Sequence, residues 1–245
     1  MDIPHKALVL GGTGRTGGRV LTQLLGRGIP VRALVRSAAR LPSGAVGSAG
    51  LEVIEGDLLS RTGAAQRSLV DGCGAVISCL GHTMSIRGIF GPPRDLVTEA
   101  IRRMCEAVRE LRPAEPVKLV LMSSVSVFVA DPCDARRGAS ERAFMRALCA
   151  LVPPARDNQR ATDFLRETIG TNDPFLQWTV VRPDTLREGE ISPYTVHPGL
   201  VSSLAKPSDT AMANVACFMC ELVTNAATWD TWRFKLPVII NATPV

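Results

Sequence analysis

Short apolar runs alternate with longer segments of helical period along the first half of the chain. Ala7–Leu10, Val31–Val35, Leu51–Glu55, Ala75–Cys79 and Val117–Met122 read as strands; Ala7–Leu10 is apolar throughout and Val117–Met122 apolar but for Lys118, as strands buried on both faces are. Arg15–Arg27, closed by Gly28, and Thr62–Val70 read as helices. So does Pro93–Leu111, where Leu96, Val97, Ala100, Ile101, Met104, Ala107, Val108 and Leu111 recur every three or four positions. The alternation predicts βαβ units, hence an α/β fold with a doubly wound parallel sheet.

After Met122 the rhythm changes. Residues 130–156 carry Asp-Pro, Arg-Arg-Gly and Pro-Pro punctuation around a helical piece, Ser140–Val152. A helix over Asn158–Ile169 and a strand over Gln177–Val181 follow. Thr185–Pro207 reads as loop, Thr210–Leu222 as a helix, and Phe234–Ile240 as a strand interrupted by Pro237. With 245 residues, one domain over 1–245 is expected, carrying a small C-terminal cap region from segments 130–156 and 185–207.

Composition narrows the function. Hydrophobic residues are 46% and charged residues 21%, which excludes a disordered chain. No apolar run reaches membrane-spanning length; Val117–Ala130 is broken by Lys118 and three serines. The run Ala7–Leu10 is too short for a secretory signal and is expected to be the first strand. Seven cysteines, mostly inside apolar runs, suggest a reducing, cytoplasmic setting. Net charge is +5, from 24 Arg and 4 Lys scattered along the chain, and aromatics are 4%. That argues against nucleic acid, which would want a basic stripe with stacking aromatics, and for arginines aimed at the phosphates of a small ligand. Cys217-x-x-Cys220 lies in a helical segment without a second ligand pair, and His5, His82 and His197 are far apart, so no metal is expected. The expected partner is a small-molecule substrate, with the chain a monomer or homodimer.

The sharpest motif is Gly11-Gly12-Thr13-Gly14-Arg15-Thr16-Gly17, between the first strand and the first helix. Gly11 permits the turn, Gly14 lets backbone approach a pyrophosphate, and Gly17 lets helix pack on strand. The helix N-terminus adds free N–H groups and partial positive charge. At the end of the second strand, where an acid would hold a ribose 2′-hydroxyl, stands Arg36, with Arg40 beyond it. Guanidinium binds a 2′-phosphate that carboxylate would repel, and Arg15 could close over it, so NADP(H) is favoured over NAD(H). Asp57 is placed to accept from the adenine amino group, with Leu58 against the ring; the alternative for Asp57 is a helix cap.

The stretches GGTGRTG, VRALVR, EGDL and AVISCLG resemble the atypical short-chain dehydrogenase/reductases with an NmrA-like, Rossmann-like NAD(P)-binding domain. Within them the likeness is greatest to the biliverdin reductase B and NADPH-dependent flavin reductase group. It is specific over about residues 6–82, moderate over 117–125 and 158–186, and weak over 126–157 and 187–205. The resemblance implies that Cys79, Leu80 and Gly81 line the ribose. It implies too that Ser123 and Ser124 flank the nicotinamide, and that Pro183, Asp184 and Thr185 lie near its carboxamide.

Most short-chain dehydrogenases use Tyr-x-x-x-Lys for proton transfer. The single tyrosine here, Tyr194, is followed four residues on by Pro198, and the slot where relatives often carry lysine is Gln159. Assisted carbonyl reduction is therefore disfavoured. A flavin or quinone acceptor needs little acid help, which points to an NAD(P)H-dependent reductase of such compounds. Ser124 could donate to the acceptor, and His82, after the fourth strand, is a candidate acid or substrate contact. A nucleotide-reading regulator without turnover, and an epimerase, isomerase or cyclase, are the alternatives.

Overall fold

The computed structural model describes residues 6–82, 91–129, 151–203 and 206–242, with positions 134, 138, 141, 143–145 and 147 between. Positions 140, 142, 146 and 148–150 of the expected helix over Ser140–Val152 lie outside the described residues, and 141, 143–145, 147 and 151 are helical. Ten strands are described: β1 (Ala7–Leu10), β2 (Val31–Val35), β3 (Leu51–Glu55), β4 (Ala75–Ser78), β5 (Val117–Met122), β6 (Leu176–Pro183), β7 (Thr185–Arg187), β8 (Tyr194–His197), β9 (Asp209–Ala211) and β10 (Val238–Asn241). The helices are α1 (Arg15–Gly26), α2 (Gly63–Val70), α3 (Leu96–Leu111), α4 (Pro153–Asp163), α5 (Met212–Thr224) and α6 (Ala226–Trp232). α4 runs on as a π turn, Phe164–Ile169.

The main sheet has the order β3-β2-β1-β4-β5-β6-β10-β8. All its neighbours pair in parallel except β8, which pairs antiparallel with β10. Successive residues of β1 feed opposite cores. Leu8 and Leu10 join the cluster of Val70, Ile101, Met104 and Leu165, under α2, α3 and α4. Ala7 and Val9 join Val20, Leu24, Val215 and Phe218, under α1 and α5. Both faces of β1 are buried, which is why all four of its residues are apolar. The chain turns in opposite directions from β1 to reach β2 and β4, which opens a crevice at the carboxyl ends of the strands.

Two segments differ from the sequence expectation. α4 begins at Pro153 and not at Asn158. The Pro153-Pro154 pair starts the helix, because the first turn has no use for the missing N–H groups. Within 185–207, read as loop, β7 pairs with β9 and β8 extends the main sheet.

β6 carries a buried charge. Arg182 and Asp134 are each 1% exposed and paired bidentately, Nη1 to Oδ2 at 2.6 Å and Nη2 to Oδ1 at 3.0 Å. Arg182 Nε donates to the Leu236 carbonyl at 2.9 Å, and Leu200 N donates to Asp134 Oδ1 at 3.1 Å.

Candidate active site

The crevice beside β1 is shaped first by glycines. Gly11 has φ +79°, and a Cβ there would sit 2.8 Å from the Cys79 carbonyl oxygen. A Cβ on Gly17 would sit 2.2 Å from the Gly11 carbonyl oxygen, so α1 seats on the loop only with glycine there. Gly14 precedes α1 with no side-chain cap on the free N–H groups, and no acid stands in the first turn. Free N–H groups at a helix start are suited to an anion.

A cleft of about 950 Å³, part of it open to solvent, lies over this turn. Of the expected cofactor residues it is lined by Gly11, Thr13, Gly14, Arg36, Arg40, Asp57, Leu58, Cys79, Leu80 and Gly81. Leu10, Leu34, Val35, Gly56, Pro93 and Leu96 complete it. Pro93 and Leu96 escaped sequence reasoning, since they look like the ordinary start of a helix. Arg15, Thr16 and Gly17 do not line the cleft. Arg15 is exposed at the start of α1, Thr16 is buried at 5% exposure, and Gly17 is taken up by packing.

Arg36 and Arg40 are exposed, and neither side chain has a hydrogen-bond or ion-pair partner among the described residues. Their loop is pinned from below, because the Ala38 N–H donates to the Glu55 carboxylate. Asp57 lines the cleft while its Oδ1 accepts from Leu59 N at 2.7 Å, a local turn bond. Gly81 has open space where a Cβ would stand.

The remaining candidates lie farther along the same sheet edge, outside this cleft. Ser123 N donates to Val181 O at 2.8 Å and Val125 N to Pro183 O at 3.1 Å, so Ser123, Ser124 and Pro183 form one ledge beyond β5 and β6. Ser124 Oγ is 2.6 Å from Ser126 Oγ, whereas Ser123 Oγ is buried without a partner. Asp184 accepts from the Ser202 hydroxyl and from Ser208 N at 3.0 Å, and Thr185 N bonds Ser208 O at 3.0 Å.

His82 is turned inward. Its Nε2 is 2.8 Å from Asp157 Oδ2, with the imidazole 5% exposed. Tyr194 lies at the far edge of the sheet and donates to Glu221 Oε2 at 2.9 Å; burial first, then the Glu221 carboxylate, pushes its hydroxyl upward. Burial also raises the Cys79 thiol, so that cysteine is a wall and not a nucleophile.

A family model described as NAD(P)H-binding matches residues 11–226, from the glycine turn to α6. The chain belongs to the NAD(P)H-binding family. The cleft fits such a dinucleotide on its own terms, through the uncapped helix start, the Cβ-free approach at Gly11 and Gly81, and two unpartnered guanidiniums. No curated protein matches the sequence. Solved structures share the fold. An oxidoreductase from Lactococcus lactis is 20% identical, covering 98% of this chain and 92% of its own, with TM-score 0.67. An anaerobillin reductase from Escherichia coli is 17% identical, covering 98% and 100%, with TM-score 0.66. A short-chain dehydrogenase/reductase from Veillonella parvula, solved in complex with NADP, is 14% identical, covering 96% and 94%, with TM-score 0.67. Among the described residues no helix is long and apolar enough to cross a membrane.

Proposed function

We propose that the protein is an NADPH-dependent reductase that delivers hydride to a flavin-, quinone- or similarly conjugated small-molecule acceptor. One observation carries the reading: Arg36 and Arg40 stand unpartnered on the cleft wall, at a strand end that has no acid. They suit a 2′-phosphate, which distinguishes NADPH from NADH. The α1 start and the Gly11–Gly14 turn would hold the pyrophosphate, and Asp57 and Leu58 the adenine. When bound, the nicotinamide supplies the hydride.

On the acceptor side the described residues of the β5 ledge offer hydroxyls. Ser124 and Ser123 on the β5 ledge can hydrogen-bond a ligand oxygen. The Gln159 side chain, in the slot where relatives carry lysine, is bound to the backbone of Phe128. A conjugated acceptor spreads the incoming charge and takes its proton from solvent, so proximity to the hydride donor suffices. The likeness to solved reductases supports the class, and the acceptor is argued from these side chains.

The test is NADPH oxidation with a panel of free flavins and quinones. Turnover with at least one acceptor, faster with NADPH than with NADH, and retained in Tyr194→Phe, is expected. Tight NADPH binding without oxidation by any acceptor would replace this reading with a nucleotide-binding regulator.

A further inference from the structure

The Asp157 carboxylate is fully buried and accepts from two separate elements of the fold. Its Oδ2 is 2.8 Å from His82 Nε2 and 2.8 Å from Val97 N. Its Oδ1 is 2.9 Å from Thr98 N and 2.6 Å from Thr98 Oγ1. α3 begins after Asp95, whose own side chain makes no capping bond. Asp157, from α4, therefore does the capping from outside and takes up the N–H groups that would otherwise be orphaned.

These partners are neighbours of the cleft wall. His82 follows Leu80 and Gly81, which line it after β4. Val97 and Thr98 follow Pro93 and Leu96, which line it from the start of α3. One carboxylate thus ties two walls of the cleft together, and it has no exposure through which to touch a ligand itself.

We propose that Asp157 is a positioning residue for the dinucleotide cleft, holding the turn after β4 and the first turn of α3 at the spacing that admits NAD(P)H, with His82 as its strut. The proposal rests on the cofactor reading above and assigns His82 a holding role in place of the acid role considered from sequence. Without the clamp the competent spacing becomes one of several, and apparent affinity falls by the fraction of time it is populated.

The experiment measures NADPH affinity by titration, KM and kcat by turnover, and folding by circular dichroism. Asp157→Asn keeps the shape but sets an NH₂ group against at least one of its donors. It should fold and bind NADPH about tenfold more weakly, with the loss in KM and not in kcat. His82→Ala should move the same way, while His82→Gln, whose amide can still donate to Asp157, should recover most of the affinity. If Asp157→Asn does not fold, Thr98→Val takes its place, with an expected loss of about threefold from one missing bond. Unchanged affinity in a folded Asp157→Asn or in Thr98→Val overturns the proposal. So does a kcat loss in His82→Gln at unchanged KM, which would put the imidazole in the chemistry. Wild-type protein that binds neither NADPH nor NADH overturns the cofactor reading itself, and the clamp with it; wild-type binding with indifferent variants overturns the clamp alone.

Discussion

Gln159 grips the backbone of Phe128 from both sides: its Oε1 accepts from Phe128 N at 3.0 Å and its Nε2 donates to Phe128 O at 3.1 Å. The same Nε2 donates to Asp163 Oδ1 at 2.9 Å. A lysine at this position could replace the donated bonds but not the accepted one. Gln159→Leu leaves both Phe128 groups unpaired and should cost about 1–3 kcal/mol of stability, measured by urea denaturation. Flavin or quinone reduction by the folded fraction should stay within about threefold of wild type, since no positioned acid worth 10²–10⁴ is lost.

Cofactor preference should reverse with charge at the β2 end. Arg36→Glu replaces attraction to a 2′-phosphate by repulsion. NADPH affinity should fall at least about tenfold, because a charge-assisted bond contributes about 1.5–3 kcal/mol. NADH affinity should hold or rise. Equal affinities of the unmodified protein for the two cofactors would refute the assignment.

Two glycines should separate folding from binding. Gly17→Ala drives a methyl against the Gly11 carbonyl, where 2.2 Å is available, so backbone must move and thermal stability should drop. A Cβ at Gly81, on the cleft wall, meets nothing within 4 Å among the described residues, so Gly81→Val is the second variant. It should melt like wild type yet lose most dinucleotide binding, because its side chain fills ligand space.

Stability should decline in mild alkali. Burial pushes the Cys73 thiol from 9.0 up to about 11. Below pH 9 the thiol is neutral folded and unfolded, and nothing is lost. Between pH 9 and about 11 the unfolded chain gives up this proton and the folded one does not, so unfolding becomes easier as pH rises. The two-unit span corresponds to about 3 kcal/mol. Cys73→Ala should make the slope in urea denaturation across that window shallower without abolishing it, because burial raises the thiols of Cys79, Cys105, Cys217 and Cys220 as well.

The turn after β1 was legible because a dinucleotide-type approach demands glycine at fixed spacing, and β1 because burial on both faces leaves an uninterrupted apolar run; β2 to β5, though each carries a polar residue, were legible as short, mostly apolar runs between helical segments. β8 was not. Tyr194–His197 mixes polar and apolar residues on a sheet edge, between prolines, and only its antiparallel partner β10 makes it a strand. Asp157 and Arg182 were opaque for another reason. A polar residue in a helix or strand looks solvated until the fold supplies partners dozens of positions away. The arginine loop was read correctly in charge, but the Glu55 carboxylate under Ala38 N belongs to the next strand and leaves no local mark. Arg15 and Thr16, expected from the motif to meet the ligand, are not among the residues that line the cleft: Arg15 is exposed at the start of α1 and Thr16 is buried.

The pair between Arg182 and Asp134 constrains how such a protein can be recombined. The cation is built into a central strand, and its counter-ion arrives from the stretch between β5 and α4. That stretch can be rewritten around the acid, but not through it. A graft that brings a new loop without a carboxylate at this point strands a guanidinium in the interior, at a cost of about 3–5 kcal/mol. Loop exchange that changes substrate choice in this scaffold must therefore carry its own anion or give up the arginine in the same step.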